Sequence, residues 1–353
     1  MKREEYIDYL RVFAAFAVIV LHVAAKCWYT SSVNSLEWQT FNAYDSIVRW
    51  GVPIFTMISG ALFLKRDIPI KKIYSKYVLR LFIAFIVWSA IYTVLMALTI
   101  SSKGISFNFD NSISAFLGGH YHMWYLLMIM GLYMCIPILK KIVEDKNIMK
   151  YFLILSFVFG FVIPWCVNLM NDFITHQKVL HAINTLNNDV SNMGLSLVLG
   201  YSFYFVLGYY ISTVEIKKEK RRIIYILSII GFLLTIFLDS YISLRTNEPS
   251  ANYYGNFSIN VFLETLGIFV LFRYHKFNNK KLNKIALKLS TYSFGVYLVH
   301  ALIVDKLSIR LNINGLSFFS PVSVLAISLL VGVISLILSV ILNHIPIIKK
   351  YCV

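Results

Sequence analysis

Ten apolar segments recur along the chain, each separated from the next by a short polar stretch. A helix that crosses a bilayer needs about 20 mostly apolar residues, and every segment approaches that length. The segments cover 7–26, 44–64, 78–100, 123–140, 150–170, 194–213, 223–240, 256–272, 289–307 and 321–343. The pattern predicts an all-α polytopic membrane protein, a bundle of about ten transmembrane helices that forms a single domain over 1–353.

The basic residues alternate between rich and poor connections. Lys2 and Arg3 precede the first segment, and the later rich stretches lie at 65–76, 140–146, 217–222, 273–288 and 349–350. The connections between them carry about one basic residue each, namely Lys103, Lys178, Arg245 and Arg310, with Lys26 at the edge of the first. Because Lys and Arg accumulate on the cytoplasmic side, the alternation predicts that both termini are cytoplasmic.

Composition supports a membrane protein and excludes one other class. Hydrophobic residues make up 58% of the chain and charged residues 14%, whereas a soluble domain carries about 25% charged residues. The net charge of +16 raises the question of nucleic-acid binding, but no separate basic domain carries that charge. The outer connections are short, so any catalysis has to use the membrane body itself. We expect a multi-pass protein of a bacterial-type plasma membrane.

The sequence gives no sign of a metal site, a signal peptide or an internal repeat. Cys27, Cys135, Cys166 and Cys352 form no CxxC pair and no zinc-like spacing, so no metal is expected. Arg11 interrupts the first apolar run, and no cleavable signal peptide is evident. The chain shows no internal repeat, which counts against a secondary transporter because many of those have pseudo-symmetric halves.

Arg11 and His22 are the most informative pair. Ionisable groups are costly inside a bilayer, so each needs a partner or a function there. Eleven residues of helix bring the second side chain back to within ~20° of the first and ~16 Å further along the axis. The two residues therefore share one stripe of the first helix, with Arg11 near the cytoplasmic side and His22 near the outer side.

Other polar residues are placed by the same topology. The outer half collects His22, Arg49, His120, His122, Trp124 and His300, while Glu264 lies at mid-depth. Structural roles stay open for several: Arg49 can pair with Asp45 four residues earlier, Trp124 can belong to an aromatic belt, and Glu264 can be the buried partner of an arginine. Asp305, beside Lys306, is expected at the interface.

Four stretches resemble the membrane acyltransferase-3 family. The first helix has an Arg-x10-His pattern in YIDYLRVFAAFAVIVLH, at 6–22. RWGVPIFTMISG at 49–60, HMWYL at 122–126 and SFGVYLVH at 293–300 follow in the family's order. The chain looks most like the compact branch without an attached extracytoplasmic esterase-like domain, which includes O-acetyltransferases of surface polysaccharides.

The resemblance implies acyl transfer from a cytoplasmic thioester, usually acetyl-CoA, to a hydroxyl of an extracytoplasmic or lipid-linked glycan. By analogy Arg11 belongs to the donor path and His22 to the catalytic centre. The chain departs from the family in its second cytoplasmic loop, where members often have an arginine pair. Here the nearest candidates for the CoA phosphates are Lys72, Lys76 and Arg80.

The chemistry agrees with that implication. A sugar hydroxyl needs a general base with a pKa near neutrality, and imidazole is suited to this task. We expect His22 to be that base, with His122 as the next candidate, and Arg49 or His122 to stabilise the oxyanion. A transporter or flippase for a polysaccharide or its lipid-linked precursor is the alternative, and a membrane sensor is a third. The acceptor, the choice between acetyl and succinyl, and the oligomeric state stay open.

Overall fold

A computed structural model describes residues 4–101, 109–174 and 200–352, together with isolated positions between 179 and 195. Within these residues the protein is helical and has no strand. The first half contains α1 (Glu5–Trp28), α2 (Leu36–Ser46), α3 (Gly51–Phe63), α4 (Ile70–Ser101), α5 (Phe109–Gly118), α6 (Trp124–Met134), α7 (Ile136–Glu144) and α8 (Lys146–Phe173). The second half contains α9 (Tyr201–Thr213), α10 (Lys218–Thr246), α11 (Ile259–Tyr274), α12 (Lys280–Arg310), α13 (Ser320–His344) and α14 (Pro346–Tyr351).

Seven helical stretches in the described residues are long and apolar enough to cross a membrane. They are α1, the stretch Leu36–Phe63 that joins α2 to α3, and α4, α8, α10, α12 and α13. The α6–α7 pair, bent by 56°, makes an eighth if it counts as one span. The protein is therefore a multi-pass, all-helical membrane protein, while the count of ten and the cytoplasmic termini stay predictions.

Two predicted spans, 194–213 and 256–272, correspond to short helices. The helix α9 has 13 residues and α11 has 16, fewer than the ~20 that a bilayer requires. Seven consecutive residues of α9, Ser202–Gly208, are buried, and α11 packs along α10. Protein thus surrounds much of both helices. Both segments have the composition of a membrane span, but the helix described within each of them is shorter than ~20 residues.

The first helix lies at the centre of the bundle. It packs against α2, α3, α11, α12 and α13, and Leu10, Ala14 and Ala24 are fully buried. Alanines on a helix surface allow neighbouring backbones to approach closely, which is how membrane helices gain packing without a hydrophobic driving force. Because α1 carries both Arg11 and His22, this packing holds the polar stripe inside the protein.

Helices α3 and α9 approach through their backbones. A Cβ added to Gly60 would lie 1.7 Å from the carbonyl oxygen of Phe205, and one added to Gly208 would lie 2.0 Å from that of Met57. Real Cβ atoms essentially never come within 3.0 Å of another heavy atom in this way. The two glycines therefore set the distance between these helices.

Two helices contain a π-helical segment. Ile73–Val78 lies near the start of α4, and Val158–Val162 lies in the middle of α8. Such segments are rare and often occur at functional sites. The first one carries Lys76 and Tyr77, and it directly precedes Arg80.

Candidate active site

Arg11 and His22 face the same neighbour. The His22 ring contacts Tyr121, just before α6, with 5.2 Å between ring centroids. The Arg11 guanidinium interacts electrostatically with the phenols of Tyr125 and Tyr133, further along α6. The helix α6 therefore runs antiparallel to α1 along the polar stripe, and the predicted common face of the two side chains is what the structure shows.

Four histidines meet at the end of α1 that we predict to be external. The His22 ring stacks on that of His300 from α12, with centroids 5.1 Å apart and planes 21° apart. His122 lies 5.2 Å from His300 and 6.5 Å from His22, again between centroids. His120 adjoins His122 at a centroid distance of 5.1 Å. We call these four residues the histidine cluster; all four were singled out in the sequence.

A hydrogen-bonded chain runs through half of the cluster. Nδ1 of His120 lies 2.9 Å from Nδ1 of His122, and Nε2 of His120 lies 3.1 Å from a carboxylate oxygen of Asp305. The other oxygen of Asp305 accepts from Nζ of Lys26 at 2.6 Å. Tyr92 stacks on His120 at 4.2 Å, which fixes the plane of that ring.

The chain defines which nitrogens carry protons. An ionised carboxylate only accepts hydrogen bonds, so Nε2 of a neutral His120 is protonated and donates to Asp305. Nδ1 of His120 then accepts from Nδ1–H of His122, and this leaves a lone pair on Nε2 of His122. That nitrogen is buried and has no hydrogen-bond partner among the described residues.

His300 presents a second lone pair of the same kind. Its Nδ1 lies 2.6 Å from the carbonyl oxygen of Tyr297, so Nδ1 carries the proton and Nε2 is free. Nε2 of His300 is likewise buried without a partner in the described chain. Two unpartnered imidazole nitrogens therefore belong to the rings that surround His22.

Accessibility separates His22 from its neighbours. His122 and His300 are 2% and 0% exposed, whereas His22 is partly exposed. Burial, and then the neighbouring histidines, lowers the pKa of His122 well below its usual range, so this ring is neutral at physiological pH. Burial also raises the pKa of the Tyr121 phenol. Solvent thus reaches His22 and His120, while the rings of His122 and His300 are enclosed by protein.

Arg49 has the structural partner that its spacing suggested. It forms an ion pair with Asp45, one helical turn earlier, and its guanidinium lies 3.9 Å above the ring of Tyr254. These contacts fix the side chain near the cluster, where it acts electrostatically on His22. Nε of Arg49 is buried with no hydrogen-bond partner among the described residues.

A second set of polar residues lies toward the other end of α1. Arg11 and Arg80 both act electrostatically on Tyr133, and Tyr133 packs on Phe63 at 4.5 Å between centroids. Lys72 and Lys76 are exposed at the start of α4, and Nζ of Lys76 lies 5.7 Å from the Tyr77 ring centre. The structure therefore brings Arg80 to Arg11 and places the two lysines on the adjoining surface.

Packed aromatic rings connect the two ends. Phe55 contacts Tyr125 at 6.2 Å, and Tyr125 contacts Tyr297 at 5.7 Å, both between centroids. Tyr297 in turn lies 5.3 Å from His122 and donates to its carbonyl oxygen at 2.6 Å. Together with Tyr133 and Phe63, these rings form a path from Arg11 to the histidine cluster.

Glu264 and Trp124 stay outside the cluster. Glu264 is fully buried, and its hydrogen-bond partner is the hydroxyl of Thr235 rather than an arginine. Trp124 is half-exposed beside Tyr125 and Tyr201, as expected for a residue of an aromatic belt. Neither residue touches a histidine.

Asp305 and Lys26 are the site residues that sequence reasoning missed. Asp305 was expected at the interface because Lys306 follows it, and Lys26 was counted only as an outer charge. The one available signal was that both are charged residues near span ends on the sparsely charged side. Among the described residues, no group of three or more His, Cys, Asp or Glu side chains is arranged to hold a metal ion.

Fold and site together define a multi-pass helical membrane protein with a cluster of four histidines at one end of the polar stripe on α1. Comparison with known proteins gives the family. The profile described as "Acyltransferase domain" matches residues 4–344, and the chain belongs to this acyltransferase-3 family. It is therefore an acyltransferase of the membrane.

Curated relatives are more distant. The chain is 24% identical over 342 residues to proteins of Staphylococcus aureus strains MSSA476, MW2 and N315. The alignment covers 92% of this chain and 90% of each relative. Each relative is named a probable poly-beta-1,6-N-acetyl-D-glucosamine export protein. No solved structure matches the chain significantly.

Proposed function

We propose that the protein is an O-acyltransferase of a bacterial plasma membrane. It moves an acyl group, acetyl in the first instance, from cytoplasmic acyl-CoA to a hydroxyl of an extracytoplasmic or lipid-linked glycan. The observation that carries this proposal is the common orientation of Arg11 and His22 toward α6. A donor carrying phosphates would be held at one end of this stripe, and its thioester would reach the histidine cluster at the other.

The donor end is suited to CoA by charge and by shape. Arg11, Lys72, Lys76 and Arg80 offer four cations to the nucleotide phosphates, and Arg forms bidentate bonds with such groups. The pantetheine arm is long and uncharged, and the aromatic path through Tyr133 and Tyr125 would accommodate it.

His22 is the general base of the proposed reaction. Its ring is partly exposed, and its nitrogens make no hydrogen bond with the described residues. It takes the proton of the acceptor hydroxyl while that oxygen attacks the thioester carbon. The C–S bond breaks, and the protonated His22 returns the proton to the sulfur, so that CoA leaves as the thiol. The positive charge of Arg49, which acts electrostatically at His22, would stabilise the oxyanion of the tetrahedral intermediate.

The Asp305–His120–His122 chain supports His22 without touching the hydroxyl. It keeps a lone pair on Nε2 of His122, and His300 offers a second one. Both lone pairs present negative potential to His22 when it becomes positively charged. Asp305 is therefore a positioning residue, because it acts through the tautomer of His120.

Replacing His22 tests the function directly. A general base contributes 10²–10⁴-fold, so His22→Gln should lower acyl transfer by at least ~100-fold, since an amide cannot take up the proton. The matched control is His344→Gln, because His344 is exposed at the far end of α13. The assay is transfer of radiolabelled acetyl from acetyl-CoA to surface glycan, with protein amounts in the membrane measured alongside. A well-folded His22→Gln protein with near wild-type turnover would remove His22 from catalysis.

Asp305→Asn tests the hydrogen-bonded chain. The carbonyl of the new amide would stay on Lys26, so its NH₂ group would face Nε2 of His120. That nitrogen would have to become an acceptor, the protons along the chain would reverse, and Nε2 of His122 would become a donor. A hydrogen bond to a charged group is worth ~1.5–3 kcal/mol, so kcat should fall about tenfold or more, with KM for acetyl-CoA unchanged. Asp172→Asn is the control, since Asp172 binds Tyr253 and Asn252 instead.

Export of a glycan is the second candidate, and the name of the curated relatives favours it. The two functions separate in one experiment. An acyltransferase with His22→Gln should leave glycan on the cell surface unmodified. If the protein is instead an exporter and His22 only lines the path, the wild-type protein should acylate no glycan. Deleting its gene should then leave the glycan inside the cell.

A further inference from the structure

A cavity of about 280 Å³ adjoins the histidine cluster. It lies between the last turns of α4 and α12, and the end of α5 closes it. Its apolar lining comes from α4 and α12, and its polar lining includes His120 and Asp305.

The cavity opens sideways toward lipid. Met96 and Ile309 stand on opposite walls, and they are 49% and 52% exposed. Exposed apolar side chains on helices of this hydropathy face the hydrocarbon of the bilayer. A long apolar chain would therefore enter between α4 and α12 without crossing water.

Two cations line this apolar space. Lys306 and Arg310 are four residues apart on α12, so they lie one turn apart on one face. Neither makes an ion pair within the part of the chain that the structure describes. The carboxylate of Asp305 does not neutralise them, because its oxygens already bind Lys26 and His120. Lys306 is partly buried beside this apolar surface, where an uncompensated charge is costly, and Arg310 is exposed at the end of α12. An anion between the two side chains would compensate Lys306 and use Arg310 as a second partner.

His120 links the cavity to the proposed chemistry. It lines the cavity and also contacts Nδ1 of His122. The polar head of a bound ligand would therefore sit beside the histidine cluster, where a bulk phospholipid has no function. A substrate with a phosphate head and a lipid tail fits this position better than a lipid of the surrounding bilayer.

We propose that this cavity binds the polyisoprenyl diphosphate carrier of the glycan acceptor. The diphosphate pairs with Lys306 and Arg310, the tail lies along Leu95, Met96 and Ile309, and the first sugars extend from the diphosphate toward His22. The assignment of the ligand as acceptor rests on the proposed function, whereas the site itself does not.

The experiment uses a photoreactive geranylgeranyl diphosphate with the full-length protein in phosphatidylcholine nanodiscs. We expect labelled peptides from α4 and α12. Unlabelled geranylgeranyl diphosphate should compete, while geranylgeraniol and inorganic pyrophosphate should not. The double substitution Lys306→Gln with Arg310→Gln should reduce labelling about tenfold or more. Arg245→Gln is the control, because Arg245 lies on the same predicted side and binds the carbonyl oxygen of Asp172.

A pair of tryptophan substitutions tests the apolar part without changing charge. Leu95→Trp should fill the cavity and abolish labelling. Leu98→Trp lies three residues along the same helix, outside the cavity and exposed, and it should label normally. Equal labelling of the double charge variant and the wild type would overturn the proposal. So would loss of labelling in phosphatidylglycerol nanodiscs, which would show that the cavity takes any anionic lipid.

Photolabelling of the cavity does not require acyl transfer by the protein. His22→Gln should bind the probe as the wild type does, since His22 does not line the cavity. If His22→Gln stays active while the double variant loses labelling, the proposed function fails and the lipid site stands. If His22→Gln is inactive and labelling does not depend on Lys306 and Arg310, the lipid site fails and the proposed function stands.

Discussion

The contact between α3 and α9 allows a prediction with a magnitude. Gly60→Ala would place a methyl group 1.7 Å from the carbonyl oxygen of Phe205 and 2.5 Å from its carbon. Gly208→Ala would do the same at Met57, at 2.0 Å and 2.5 Å. Both obstacles are backbone atoms, which no side-chain rotation can move. The helices have to separate by more than about 1 Å to restore an ordinary contact.

The cost follows from this separation. Overpacking a well-packed core costs ~1–3 kcal/mol and occasionally more, and a backbone obstacle belongs at the upper end. In a protein of this size the entropy of unfolding is ~0.7 kcal/mol/K, so a loss of ~3 kcal/mol lowers the melting temperature by ~4 °C. The two substitutions act on one interface, so the double variant should cost less than the sum of the single ones.

The assay is thermal unfolding of the purified protein in detergent, followed by size-exclusion chromatography of the fraction that survives heating. Gly131→Ala is the matched control. Gly131 lies in α6, and an added Cβ there would meet no atom within 4 Å, so alanine should leave stability unchanged or raise it by ~0.5–1 kcal/mol. If Gly60→Ala melted at the same temperature as the wild type, the close backbone contact between α3 and α9 would be refuted.

Three further outcomes are expected. Arg11→Ala and, separately, Arg80→Ala should weaken acetyl-CoA binding about tenfold in calorimetry, while Arg222→Ala should not; unchanged affinity in both would move the donor path elsewhere. In a protein without its native cysteines, labels at Lys217→Cys and Asn247→Cys should report opposite sides of the membrane; labelling from one side would contradict the topology. Acyl transfer should fall once the pH is lowered far enough to protonate His22, because His22 has to be neutral to accept a proton, and activity that stays constant down to the pH at which the protein unfolds would argue against an imidazole base.

Most of the helices follow from the sequence because their apolar runs are long. Each of the ten predicted segments overlaps helix in the described residues, although 44–64 and 123–140 are each divided between two helices and most of 194–199 lies outside the described part of the chain. The sequence does not reveal that α9 and α11 have only 13 and 16 residues, since both are as apolar as a lipid-facing helix. Their burial depends on which neighbours surround them, and this is a property of the whole bundle.

The site is predictable only where one helix carries its residues. Arg11 and His22 share a face because their spacing along α1 decides it. The chain from His120 to Asp305 joins residues 185 positions apart, and Lys26 reaches Asp305 across 279 positions. No local pattern encodes such a contact. An aspartate next to a lysine looks like an ordinary interfacial pair until the fold brings another partner to it.

Because α4 contains a π-helical turn at Ile73–Val78, the number of residues in this turn determines the direction in which the basic side chains at the start of α4 point. A π turn holds one more residue than an α turn would, so deleting any one residue within it would let the helix close as a regular α-helix. Everything on the N-terminal side of the deletion would then rotate by ~100° and move by ~1.5 Å relative to the rest. The direction of Lys72 relative to Arg80 would change by that angle without either residue being replaced. Deleting one residue here would therefore change the direction of the preceding side chains while removing only a single side chain. Among related chains, we expect this turn to tolerate substitutions far better than changes in length.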